Sequence, residues 1–118
     1  MKTKKELREE YKLIKFKIGV FQIRNIVNNK IFIDSSVNLD KIWNRHRVEL
    51  NFGNHRNTVL QKDWKEFGEN NFKFEILSEI EQREDPTIDY AREAKLLAQM
   101  FIEELQPFGE KGYNSSSG

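Results

Sequence analysis

The chain has 118 residues, no cysteine, 37% apolar and 33% charged residues and a formal net charge of +1, the profile of one domain that folds without disulfides. The missing thiols exclude a disulfide scaffold, a cysteine nucleophile, an iron–sulfur cluster and a cysteine zinc finger. No apolar run approaches the ~18 residues that span a bilayer, and the first residues lack a signal core, so a cytoplasmic protein with no membrane partner is expected.

Thr3-Lys4-Lys5-Glu6 has the spacing of a capping box, and Leu7, Tyr11 and Ile14 follow at helical intervals, which predicts a helical extension over residues 1–17. Phe16, Ile18 and Val20, then Phe21 and Ile23, change the pattern to that of a strand. Asn28-Asn29-Lys30 is a turn signal before a second apolar run, Ile31-Phe32-Ile33, and the two runs predict a β-hairpin over residues 18–34. Asp34-Ser35-Ser36 closes it, and Ser36 or Asn38 can cap the helix that follows. Leu39, Ile42, Trp43, His46 and Leu50 share one face of that helix, and Gly53 ends it.

Asn57 can cap another helix with Leu60, Trp64 and Phe67 inward, ending at Gly68. Phe72, Phe74 and Ile76 alternate with Lys73 and Glu75 as a half-buried strand. Pro86 opens a long helix with Tyr90, Leu97, Phe101 and Leu105 aligned, and Pro107 ends it. The serine tail, residues 115–118, reads as disordered. The order α-β-β-α-α-β-α is that of one α+β domain whose three strands form an antiparallel sheet flanked by helices.

Charge is unevenly spread. Residues 1–65 carry 15 Lys and Arg against 7 Asp and Glu, a net of +8, whereas residues 66–118 carry a net of −7. An anion-binding face on the first half is one reading, with nucleic acid the usual anion. An ordinary interleaved surface is the other.

Gly19-Val20-Phe21 and Phe32-Ile33-Asp34 resemble the two motif triplets of the GIY-YIG nuclease family. Ile42-Trp43-Asn44-Arg45-His46, Gly53-Asn54-His55, Leu60-Gln61-Lys62-Asp63-Trp64, Phe67-Gly68, Asn71-Phe72, Arg92-Glu93 and Gly112-Tyr113-Asn114 follow in the family's order, so the resemblance covers residues 18–114. It implies a compact three-stranded sheet with flanking helices and hydrolysis of one DNA strand with a divalent cation, Mg2+ or Mn2+. In the family, two tyrosines handle the nucleophile, an arginine steadies the phosphate, a glutamate holds the metal, and a histidine and an asparagine complete the site.

Carried onto this chain, the tyrosine positions fall on Phe21 and Phe32 and the arginine position on Ile42. His46, His55, Glu93 (the metal position) and Asn114 are retained. A phenyl ring cannot shuttle a proton, and one lost acid–base group costs ~10²–10⁴ in rate. The expectation is a nucleic-acid-binding domain, DNA being the implied substrate, with weak or lost cleavage.

One alternative is a metal-dependent endonuclease with a rearranged site, in which His46 or His55 is the base, Asp34 and Glu93 share the metal and Arg45 replaces the missing arginine. Another is a protein-interaction domain on the same scaffold. Arg24, Lys30, Lys41, Arg45, Arg47, Arg56 and Lys62 are the candidates for phosphate contacts around the cleft. Each candidate also has a plain reading: His46 as a hydrogen-bonded core residue, Phe21 and Phe32 as packing, Asn114 as a backbone brace, and Glu93 and the basic residues as solvated surface.

Overall fold

The structure, a computed structural model, describes residues 16–115. The helical extension expected before Phe16 and the tail after Ser115 lie outside the described residues. The elements in order are β1 (Gly19–Asn25), β2 (Ile31–Ser36), α1 (Leu39–Phe52), α2 (Thr58–Phe67), β3 (Phe72–Glu79) and α3 (Tyr90–Leu105), with single 3-10 turns at Glu69–Asn71 and Gly109–Lys111. The strands form one antiparallel sheet in the order β2-β1-β3. Among the described residues no helix is long and apolar enough to cross a membrane.

β1 is the central strand and is buried on both faces. Phe21 and Ile23 join Phe32, Leu39, Leu50, Leu60 and Trp64 on the side covered by α1 and α2. Val20 joins Ile33 and Ala98 on the side covered by α3. This two-sided burial is why Val20-Phe21 reads as a continuous apolar pair rather than an alternation. The first residue of the strand is glycine because the Ser78 carbonyl of β3 stands where any Cβ would sit.

The hairpin turn is built by asparagines. Asn29 adopts a left-handed conformation with φ 64°, while Asn25 and Asn28 accept from the backbone N–H of Val27 and Lys30, each at 3.0 Å. Both candidates for the α1 cap are used: Asn38 caps the helix, accepting from Lys41 N–H, and Ser36 in turn accepts from Asn38 N–H at 2.9 Å. Asn57 caps α2, accepting from Leu60 N–H at 3.0 Å.

The start of the last helix differs from the expectation. α3 begins at Tyr90, and Pro86 lies in a turn ahead of it. Asp85 accepts from Thr87 N–H and closes that turn, which leaves Asp89 to cap the helix by accepting from Arg92 N–H at 3.1 Å. The line against the sheet also differs, since the small Ala94 and Ala98 are its buried residues. Leu97, Phe101 and Ile102 flank them, and Leu105 is exposed.

The outer edge of β2 is covered by the chain's last described residues. Tyr113 N–H donates to Ile31 O at 2.8 Å, and the Asn114 amide both accepts from Ile33 N–H and donates to Ile33 O, each at 2.9 Å. That pairing removes an open edge. Tyr113 is only 3% exposed. Its hydroxyl donates to Asp63 at 2.7 Å and accepts from the buried Asn25 amide at 3.1 Å, joining α2, β1 and the C-terminal segment.

Tyr113→Phe removes the hydroxyl that links the buried Asn25 amide to Asp63, leaving that amide N–H unpaired, and is expected to lower the unfolding free energy by about 1–3 kcal/mol, measured as a shift in urea midpoint at constant slope.

Candidate functional site

The centre of the site is a pair of imidazoles. His46, from α1, and His55, from the loop between α1 and α2, are each 5% exposed. His46 Nδ1 lies 2.8 Å from His55 Nε2. The next bond along settles where the protons are. Asn57 N–H donates to His55 Nδ1 at 3.0 Å, so that nitrogen carries a lone pair and the ring proton of neutral His55 is on Nε2. It follows that His55 Nε2–H donates to His46 Nδ1, and that His46 holds its own proton on Nε2. That Nε2 is a buried polar atom with no partner among the described residues.

The two phenylalanines close over this pair. Phe21 is fully buried and Phe32 is 7% exposed. Their ring centroids stand 5.6 and 5.8 Å from that of His46, and Phe32 stands 6.2 Å from His55. Burial drives the His46 pKa down from 6.5 to about 4, and the neighbouring His55 adds to the fall. Burial lowers the His55 pKa as well.

Beside the pair opens a cavity of about 370 Å³, lined by Asp34, Ile42, Arg45, His46, Glu49, Asn54 and Arg56. Ile42 puts an uncharged wall at the position implied for arginine. Arg45 and Arg56 are the two predicted basic residues that reach it, with side chains 74% and 80% exposed. Arg56 also lines a second cavity of about 490 Å³, formed by Phe32, the start of α2 and the Gly112–Ser115 segment.

The remaining basic candidates lie elsewhere. Arg24 alternates with Phe21 and Ile23, so it emerges on the other face of the sheet and pairs with Glu75 at 2.7 Å. Arg47 is one residue past His46, about 100° round the helix, where it pairs with Glu69 at 2.9 Å and rests on the Trp43 ring. Lys30 lies over the Tyr113 ring. Lys41 and Lys62 are exposed and line neither cavity.

Glu93, in the first turn of α3, is bound by Arg83 through both carboxylate oxygens at 2.9 and 3.1 Å and does not line the cavity. The Asn114 amide is committed to the backbone of Ile33. Glu49 and Asn54 are site residues that the sequence reading passed over. Glu49 was findable, since it sits three residues after His46 on the same helical face; Asn54 carries no comparable signal.

Residues 17–100 match the GIY-YIG catalytic domain family. The chain belongs to the GIY-YIG family. Over 73 residues, this GIY-YIG domain is 37% identical to intron-associated endonuclease 1 of Enterobacteria phage T4, a match covering 62% of this chain and 29% of that protein. Two solved structures of the catalytic domain of I-TevI, an intron homing endonuclease, superpose with a TM-score of 0.70 at 31% identity. They cover 87% and 86% of this chain, and it covers 97% and 100% of theirs.

GIY-YIG nucleases typically depend on a divalent metal, and among the described residues one group has the composition and spacing to hold one: His46, Glu49 and His55, with ligand atoms within 4.8 Å of one another. Asp34 lines the cavity, whereas Glu93 does not. The fit of this triad is poor in the present arrangement. A neutral imidazole that binds metal through Nε2 must carry its proton on Nδ1, and His55 Nδ1 already faces the Asn57 N–H. Arg45 also claims a Glu49 oxygen at 3.1 Å. The triad is a hydrogen-bonded imidazole pair beside an ion pair.

The depressed histidine pKa values make stability depend on pH. In the unfolded chain His46 titrates near 6.5 and in the fold near 4, so the unfolded state takes up protons first. The stabilisation is complete above pH 6.5 and is lost as pH falls towards 4, at up to about 1.4 kcal/mol per pH unit. NMR titration of the ring protons should place the His46 midpoint near 4, and His46→Gln should flatten the loss in this window.

Proposed function

We propose that this domain binds DNA through the cleft between α1, the loop carrying His55 and β2, with phosphodiester cleavage weak or lost. The observation that carries this reading is the seal over the imidazole pair. The two rings that abut it, Phe21 and Phe32, are buried and have no hydroxyl. Ile42 supplies no charge to a developing phosphorane, and losing such a donor costs ~10²–10³ in rate. Glu93 is neutralised by Arg83.

The hydrogen bonds also bear on rescue by a histidine base. His55 Nδ1 is taken by Asn57 N–H, His55 Nε2–H by His46 Nδ1, and His46 Nε2 carries a proton. Neither imidazole has a free lone pair with which to activate water. What remains is recognition of the backbone: Arg45 and Arg56 reach out from the cleft, and phosphate binding needs no catalytic set. Likeness to endonuclease domains supports nucleic acid as the partner.

Supercoiled plasmid incubated with the protein and Mg2+ or Mn2+ is expected to stay intact. Nicking by the wild type that disappears in Glu93→Ala would instead establish an endonuclease with a rebuilt site. Duplex binding, followed by fluorescence anisotropy, is expected to weaken about 10- to 40-fold between about 50 and 200 mM salt if two or three phosphates are contacted. Arg45→Ala and Arg56→Ala should each lower the salt slope by about one. No salt-dependent binding would favour a protein-interaction role.

A further inference from the structure

Arg56 is common to both cavities, and it already has an anion beside it. Asp34 Oδ2 lies 3.6 Å from Arg56 Nη2. Asp34 faces the cleft because it is paired across the sheet with Phe21, whose ring abuts His46. Its other oxygen, Oδ1, accepts from the Ser35 N–H at 2.8 Å. The backbone therefore holds the carboxylate in place, while the arginine meets it on a long, exposed stem. The second cation of the cleft, Arg45, has Glu49 at 3.1 Å. The two arginines thus face two carboxylates, and the positive excess of residues 1–65 is cancelled where the cleft opens.

We propose that Asp34 is an internal competitor for phosphate: paired with Arg56, it lowers the affinity of the cleft for any phosphate group that must take that arginine. The proposal rests on the nucleic-acid reading above. A lone phosphate must take Arg56 from a carboxylate already in position and gains only the difference between two anions. A strand that also reaches Arg45 makes that second contact at high effective concentration, yet it meets the same competition at Arg56.

The test uses Asp34→Asn, which keeps the acceptor for Ser35 N–H and removes the charge. Glu66→Gln, an exposed position on α2 lining neither cavity, is the control for the same change in net charge. Inorganic phosphate is titrated into each protein and followed through the backbone amide shifts of Asn54, His55 and Arg56. Asp34→Asn is expected to bind phosphate about fivefold more tightly than the wild type, Glu66→Gln no more tightly, and the gain should vanish in Asp34→Asn/Arg56→Gln.

A gain matched by Glu66→Gln, or one that persists without Arg56, overturns the competitor role. In a parallel titration with a DNA duplex, Asp34→Asn should gain at least as much as for phosphate, because the same carboxylate is displaced. No gain for a duplex that does bind overturns the competitor role in nucleic-acid binding. A duplex that the wild type does not bind removes the strand part together with the nucleic-acid reading, and the phosphate arm still decides on the competitor.

Discussion

The hydrogen bond between His46 and His55 is the constraint on which the rest of the site depends. It ties α1 to the loop before α2, and the Asn57 N–H behind it fixes both tautomers. Two imidazoles joined in this way cannot both be protonated, because a second proton would place N–H against N–H. Burial acts in the same direction. The pair is therefore a neutral bridge in the wall of the cleft. Asn57 also caps α2 and donates its amide to the Tyr113 carbonyl at 2.7 Å, so one residue sets the imidazole protons, the start of a helix and the seat of the C-terminal segment.

Around this bridge the cleft is built from packing and charge balance. Phe21 and Phe32 extend the core cluster right up to the imidazoles. Ile42 packs against the same cluster. The carboxylates that face the cleft, Asp34 and Glu49, stand against Arg56 and Arg45. The scaffold is that of the GIY-YIG catalytic domain.

Much of the fold was legible in the sequence because its elements are marked by local chemistry. The asparagine turn, the caps at Asn38 and Asn57 and the left-handed Gly53 each act within a few residues. The ordered motif positions added a family whose sheet and helices are those found here. Where the reading went astray, competition between neighbours was the cause. Pro86 is a plausible helix start, but Asp89 offers a better cap three residues later. The aligned large residues of α3 were visible, whereas the line that touches the sheet is made of alanines, which carry little hydrophobic signal.

The sequence by itself determined the elements from β1 to α3, their order and the family, because those facts lie in residue identity and short-range spacing. Only the tertiary structure decided which charges meet. Arg24 and Arg47 look like cleft residues in a list of basic positions, yet strand alternation and helical rotation turn them to Glu75 and Glu69. Glu93 looks like a free metal ligand, yet the turn before α3 delivers Arg83 to it. The partners of Asp34 and His46 come from residues 22 and 9 positions away. Ion pairing and proton placement depend on distances between atoms that the chain brings together only on folding.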